Sequence, residues 1–135
     1  MTQLDVLGLI KAAQQLERNA SIALMYSGLR ISQYRLLECV DGCAEPTVSE
    51  MGRRLDITRA SASVMVNELS RSGILALEEN PSDRRSFHIR MTTLGRNKLR
   101  VARNDLSVFL AKISGRYPPE IMQALNRFAR DSDRH

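Results

Sequence analysis

The segment from Thr58 to Gly73 constrains the fold more than any other part of the chain. Apolar residues recur in it at intervals of three and four, which predicts a helix with one face in a protein core. These residues are Ala62, Met65, Val66 and Leu69. Thr58 is expected to cap the helix start, because its hydroxyl can accept a hydrogen bond from a backbone N–H one turn into the helix. Gly73 is expected to end it, because glycine adopts the left-handed conformation without steric cost.

The opposite face of this helix is small and polar. It carries Arg59, Ala60, Ser63, Val64, Asn67 and Arg71. Short side chains allow a helix to enter a groove, whereas a helix meant only for solvent more often carries Lys and Glu. The pattern is typical of a helix that reads the DNA major groove. A face rich in Ser and Ala is also compatible with packing against another helix, and the pattern alone leaves that alternative open.

A β-hairpin is predicted after the helix, with residues 74–79 as its first strand. Two sets of residues alternate in the second strand, with the period of a half-buried strand: Phe87, Ile89 and Met91 in one set, and Ser86, His88 and Arg90 in the other. The connecting loop begins with turn residues and ends with Arg84 and Arg85. Arginines at a hairpin tip can enter a narrow minor groove, where the negative potential is enhanced. Asp83 is expected to orient a neighbouring arginine.

A shorter helix is expected before the central one, capped by Thr47 or Ser49, with Met51 and Leu55 facing inward. Backbone N–H groups at such a helix start can hold a phosphate. Residues 47–91 are therefore predicted to form a helix, a tight turn, a second helix and a hairpin.

In the order and spacing of its short motifs, this segment resembles the winged helix-turn-helix of the MarR family of bacterial transcriptional regulators. The matching residues are Ser49-Glu50-Met51, Leu55, the run Thr58–Ser63, Leu69, Gly73-Ile74-Leu75, Asp83-Arg84-Arg85 and Met91–Arg96. The similarity extends upstream to residues 29–37 and more loosely over the whole chain. One position departs from it: the family often has a basic residue where this chain has Val64.

Four further helices are expected around this segment. They cover about residues 3–27; 32–42, capped by Ser32 and ended by Gly42; 93–114, capped by Thr92; and 119–130. The predicted fold class is mainly α with a small β-hairpin wing, in one domain over residues 1–135. The resemblance implies a DNA-binding lobe at 32–92, and dimerisation helices at 1–28 and 93–135 that interlock in a two-fold homodimer.

The resemblance implies a sequence-specific regulator that binds double-stranded DNA, most often a repressor. It would bind a pseudo-palindromic operator as a homodimer, and a small-molecule effector between the dimer helices and the reader lobe would release it. Asn can pair twice with adenine and Arg twice with guanine. The expected DNA-binding residues are Ser49, Thr58, Arg59, Ser61, Ser63, Asn67, Asp83, Arg84 and Arg85.

Two alternatives remain open from the residues. A winged-helix protein-interaction module or antirepressor is favoured by Val64 and by the near-neutral charge of residues 47–91, which hold seven basic and six acidic side chains. A thiol or metal sensor would rest on Cys39 and Cys43 alone. The only histidines, His88 and His135, form no recognisable ligand pattern with them, so no metal site or cofactor is expected.

Composition narrows the possible functions and cellular locations of the chain. The chain of 135 residues has a net charge of +5, which suits a polyanionic partner. Aromatic residues make up only 4% of it and Trp is absent, which suits helices packed on helices. It lacks nucleotide-binding and hydrolase motifs, so no enzyme is expected. Two cysteines, no basic-then-apolar leader and no long apolar run predict a protein of the reducing cytoplasm, away from the membrane.

Overall fold

The computed structural model describes residues 5–83 and 86–132. Over these residues the chain forms six α-helices and one antiparallel hairpin. The elements are α1 (Val6–Ala23), α2 (Ile31–Asp41), α3 (Val48–Leu55), α4 (Arg59–Arg71), β1 (Leu75–Glu79), β2 (Phe87–Met91), α5 (Thr93–Ser114) and α6 (Pro119–Ser132). A short 3₁₀ turn, Met25–Ser27, follows α1. The predicted fold class is confirmed; the division into a DNA-binding lobe and dimerisation helices stays a prediction.

Threonine hydroxyls start three of the helices. The hydroxyls of Thr47, Thr58 and Thr92 accept hydrogen bonds from the backbone N–H groups of Glu50 (3.1 Å), Ser61 (3.0 Å) and Gly95 (3.1 Å), respectively. The predicted cap at Ser32 is wrong. The N-cap of α2 is Arg30 instead, and its backbone N–H donates to Gln33 Oε1 at 3.0 Å. Ser32 therefore lies inside the first turn of the helix.

The core lies between α2, α3, α4, the hairpin and the first half of α5. Its largest fully buried side chains are Leu24, Leu36, Leu37, Met51, Leu69, Leu75 and Val66. The inward stripe predicted for α4 is confirmed by Ala62, Val66 and Leu69, while Met65 is partly buried against the same cluster. Gly73 follows the end of α4 with φ of +76°, as predicted. Since α4 packs through one stripe, its opposite face stays open.

Strand β2 is hydrogen-bonded on one side to β1 and on the other to the segment before α3. Leu75 pairs with Met91 at one end and Glu79 pairs with Phe87 at the other. On its outer side β2 contacts the segment before α3, where the Ile89 N–H donates to the Pro46 carbonyl at 2.8 Å. Ile89 and Met91 are buried as the alternation predicts. Phe87 is 46% exposed instead, because it lies at the tip end of β2.

Four basic residues lie near the start of α5, and two of them hold this helix to the preceding elements. Lys98 Nζ donates to the Ser27 carbonyl at 2.9 Å, and Arg103 bridges α2 by binding Glu38 and Asp41 at 2.6 and 2.7 Å. Both carboxylates hold the pKa of Arg103 above its ordinary value. Arg96 and Arg100 point to solvent. Two of these four basic residues therefore join α5 to the preceding elements, and the other two are exposed.

Candidate nucleic-acid interface

The turn between α3 and α4 sets how the two helices cross. Asp56 ends α3 in the left-handed conformation, with φ of 55°. The next residue, Ile57, donates its N–H to the Gly52 carbonyl at 3.0 Å. A Cβ at Gly52 would lie 3.2 Å from the Ile57 carbonyl oxygen, so the absence of a side chain there allows the close approach. The start of α4 is thereby placed beside Gly52, in the second half of α3.

The two helices and the wing enclose a cleft of about 270 Å³. Its lining is formed by Val48, Ser49, Arg59, Ser63, Asn67, Leu77, Ser86 and Phe87. Four residues predicted from the sequence to bind DNA, Ser49, Arg59, Ser63 and Asn67, meet at this one concave surface. They come from two helices whose connecting turn is closed by the hydrogen bond from Ile57 to Gly52.

The exposed stripe of α4 runs alongside this cleft. It consists of Ala60, Val64, Asn67 and Arg71, which follow each other at intervals of four, three and four residues and are all exposed. We call these four residues the α4 ridge. Thr58 and Ser61 lie at its N-terminal end, where the Thr58 hydroxyl both caps the helix and hydrogen-bonds the Ser61 hydroxyl at 3.0 Å. Short side chains here leave the helix accessible along its length.

Several arginines near the cleft are paired within the chain. Glu50 binds both Arg53 and Arg54, with 2.9 Å between Arg54 Nε and Glu50 Oε1, and hydrogen bonds from these arginines lower the pKa of Glu50. On the wing, Arg90 Nε binds Glu78 Oε1 at 2.6 Å. Arg59 and Arg71 have no acidic partner among residues 5–83 and 86–132. Positive charge is thus available at both ends of α4.

The wing loop places Asp83 in an ordered turn. Asn80 accepts from the Ser82 N–H at 3.0 Å, and Asp83 accepts from the Ser86 N–H at 3.2 Å through its carbonyl. Arg84 and Arg85, predicted to bind DNA, lie outside the described residues, so their role stays a prediction.

Sequence reasoning missed some residues that shape the surface. Phe87 and Leu77 line the cleft from the wing, and Val48 lines it from α3. The spacing of Glu50 to Arg53 and Arg54, three and four residues, is a readable signal for a helical ion pair. A separate link from α2 to α4, in which Arg30 Nη2 donates to Glu68 Oε2 at 2.9 Å, joins residues too distant in the sequence to be paired by pattern.

The two cysteines do not join this surface. Helix α2 ends at Asp41, so Cys43 lies beyond the helix that carries Cys39, and both thiols are free and partly buried. Burial raises the pKa of Cys39, which disfavours the reactive thiolate. In the described part of the chain, no group of three or more potential ligands could hold a metal ion. Nor is any helix there long and apolar enough to cross a membrane.

Comparison with known proteins identifies the fold. A family model described as MarR family matches residues 27–86. Among solved structures, the chain is similar to the transcriptional repressor CouR bound to a 23-mer DNA duplex (TM-score 0.88, 20% identity, covering 98% of this chain and 99% of that one). It is also similar to a mutant MarR from E. coli complexed with operator DNA (TM-score 0.81, 17% identity, covering 92% and 89%).

A third similar structure is the M. tuberculosis regulator MOSR in complex with DNA (TM-score 0.73, 21% identity, covering 97% of both chains). No curated protein matches the sequence. At these identities the structural likeness establishes the fold, and the family model adds the sequence pattern of the winged lobe. Residues 27–86 therefore carry the sequence pattern of the MarR family, and the described chain has the winged helix-turn-helix fold of the MarR structure.

Proposed function

We propose that this chain is a sequence-specific regulator that binds double-stranded DNA as a homodimer and acts as a repressor. The observation that carries the proposal is the open α4 ridge beside the cleft that gathers Ser49, Arg59, Ser63 and Asn67. A helix with short side chains, a cation at each end and no covering element among residues 5–83 and 86–132 suits the major groove. The similar structures named above contain DNA, which supports the same function here.

In this proposal α4 enters the major groove with its exposed face toward the bases. Arg59 and Asn67 bind base edges, and Ser63 binds a base or a phosphate. Ser49 and the backbone N–H groups at the start of α3 face a phosphate, where a helix N-terminus favours negative charge. Thr58 and Ser61 bind phosphate at the start of α4. Arg84 and Arg85 of the wing loop lie in or beside the flanking minor groove, and Asp83 orients a neighbouring arginine.

The outer helices support the homodimer. No residue of α1 is buried within the chain. The apolar side chains of α6 are open as well: Ile121 is 44% exposed, Leu125 51% and Phe128 61%. Together with Leu9 of α1 they line a nearly all-apolar groove. A 14-residue helix with such a face gains little by standing alone, so we propose that a second copy of the chain covers it.

Selection of bound sites from random duplexes, at a stated salt concentration, tests the proposal as a whole. A DNA reader should enrich one motif, and a two-fold dimer should make that motif a pseudo-palindrome with half-sites roughly 10 base pairs apart. A protein-interaction module, which the intramolecular pairing of Arg53, Arg54 and Arg90 favours, should enrich no motif.

Asn67 provides a residue-level test. Replacing it with alanine should relax the base preference at one position in each half-site, at a cost of ~1–3 kcal/mol for the preferred base pair, because a bidentate amide–adenine contact is lost. The measurement is the affinity for duplexes that carry each of the four base pairs at every position. Asn104→Ala, at an exposed position on α5, should leave all preferences intact. Equal weakening on every duplex would assign Asn67 to the DNA backbone instead.

We further propose that an effector binds between α1 and α2. A cleft of about 580 Å³ lies there, with Glu17 and Ser21 on the α1 side and Arg30 and Arg35 on the α2 side. Two guanidiniums suit a small carboxylic acid. Arg30 also holds Glu68 of α4, through an exposed ion pair that contributes at most about 1 kcal/mol. A carboxylate that binds Arg30 in place of Glu68 would therefore break one contact between α2 and α4, at a small cost in free energy.

A panel of small carboxylic acids tests this site. A binding member should lower the affinity of the wild type for its selected duplex by roughly 5- to 150-fold, the usual range of allosteric coupling. Arg30→Ala should abolish that response, whereas Arg18→Ala, at an exposed position on α1, should retain it. A response that survives Arg30→Ala would place the effector elsewhere.

A further inference from the structure

Val64 is an exposed aliphatic side chain in the middle of the α4 ridge. It is 58% exposed and lies between Ala60, one turn before, and Asn67, one turn after. Over the described parts of α3, α4 and the hairpin, the large hydrophobic side chains that are exposed are Val64 and Phe87. Phe87 lines the cleft, whereas Val64 is not among the residues that line it. The isopropyl group therefore points outward from the helix.

Neither helix formation nor core packing accounts for valine at this position. A β-branched side chain loses rotamer freedom in a helix, so valine is a poorer helix former than alanine or a long polar residue. The core stripe of α4 is formed by Ala62, Val66 and Leu69, which lie away from Val64. An outward apolar group gains free energy only when a partner removes it from water.

The DNA major groove offers one kind of apolar group, the C5 methyl of thymine. The remaining edge groups of the four bases are hydrogen-bond donors and acceptors, with which an isopropyl group cannot pair. We infer that Val64 reads a thymine methyl in each half-site and so determines sequence preference beside the base pair bound by Asn67. This inference rests on the proposed DNA-binding function. The small side chain of Ala60 on the preceding turn permits the close approach that a methyl contact needs.

The expected effect follows from the size of one methyl group. Removing it from such a contact should weaken binding about fourfold per half-site, and about fifteenfold when both half-sites of a dimer are changed. The test replaces each symmetry-related pair of thymines in the selected duplex with deoxyuridine, which lacks only that methyl. Affinities are measured by fluorescence anisotropy at fixed salt for the wild type and for Val64→Ala.

One thymine pair should show the fifteenfold loss with the wild type and no loss with Val64→Ala. Val101→Ala shortens an exposed valine on a different helix, α5, and should keep the wild-type loss of affinity on deoxyuridine substitution. Circular dichroism should show equal helicity for all three proteins. If the wild type binds a selected duplex and no thymine pair shows a loss that depends on Val64, the inference is overturned and DNA binding stands. If the wild type selects no duplex, the proposed function and the inference are both overturned.

Discussion

Replacing Leu125 and Phe128 together with aspartate is expected to convert a dimer into a monomer and to weaken operator binding by roughly 10²- to 10⁴-fold. Both side chains lie on the open apolar face of α6, in the groove shared with Leu9. Carboxylates there would have to be buried without partners in the dimer, which costs several kcal/mol. A monomer loses the effective concentration that the first bound half-site gives the second, and this sets the size of the loss.

Two quantities are measured: the mass of the protein in solution, by analytical ultracentrifugation, and its affinity for the operator duplex. Because residues 119–131 of α6 include no buried side chain, the double variant should keep its helical circular dichroism. Gln123→Asp adds a carboxylate at another exposed position of the same helix and should leave both mass and affinity unchanged. A dimer that persists in the double variant would move the subunit contact away from this face.

Gly95→Ala is expected to destabilise the chain by about 3 kcal/mol, the upper end of the usual cost of overpacking a tight site. Gly95 is buried in the first turn of α5, and an added Cβ would overlap the Ile74 carbonyl oxygen and lie 2.8 Å from Met91 Cγ. The carbonyl cannot easily move, because the Thr92 N–H holds it at 3.1 Å. The higher helix propensity of alanine would return about 1 kcal/mol at most, so the steric term wins.

Urea unfolding measures this effect. Gly42→Ala serves as its control, since a Cβ there meets only the Glu38 carbonyl oxygen, at 3.4 Å. The control should unfold near the wild-type midpoint. A wild-type midpoint for Gly95→Ala would show that α5 can shift away from the hairpin, contrary to the packing described above.

Local chemistry made much of the fold predictable. The caps at Thr47, Thr58 and Thr92 depend on a hydroxyl and an N–H three residues apart, and both are visible in the sequence. The predicted cap at Ser32 is wrong because the helix begins earlier, where the Gln33 side chain accepts a hydrogen bond from the backbone N–H of Arg30. The left-handed Asp56 had no glycine to signal it.

The surface of the lobe was predictable only in part. Periodicity separated the buried stripe of α4 from the open one, and so identified Ser63 and Asn67. Periodicity could not show that Phe87 lies outside the core, because that depends on how far the tip of the hairpin extends beyond the helices. Nor could it pair Arg30 with Glu68 or Arg103 with Glu38, which are 38 and 65 residues apart. Such contacts appear only when the helices are assembled.

The central claim is that two copies of α4, held at a fixed distance, occupy successive major grooves on one face of a duplex. The most direct measurement compares the selected duplex with one that carries five extra base pairs between its half-sites. The insertion turns the second half-site to the opposite face, since B-DNA repeats about every 10 base pairs. We expect the affinity to fall to that of a duplex with a single half-site. An unchanged affinity would contradict the account.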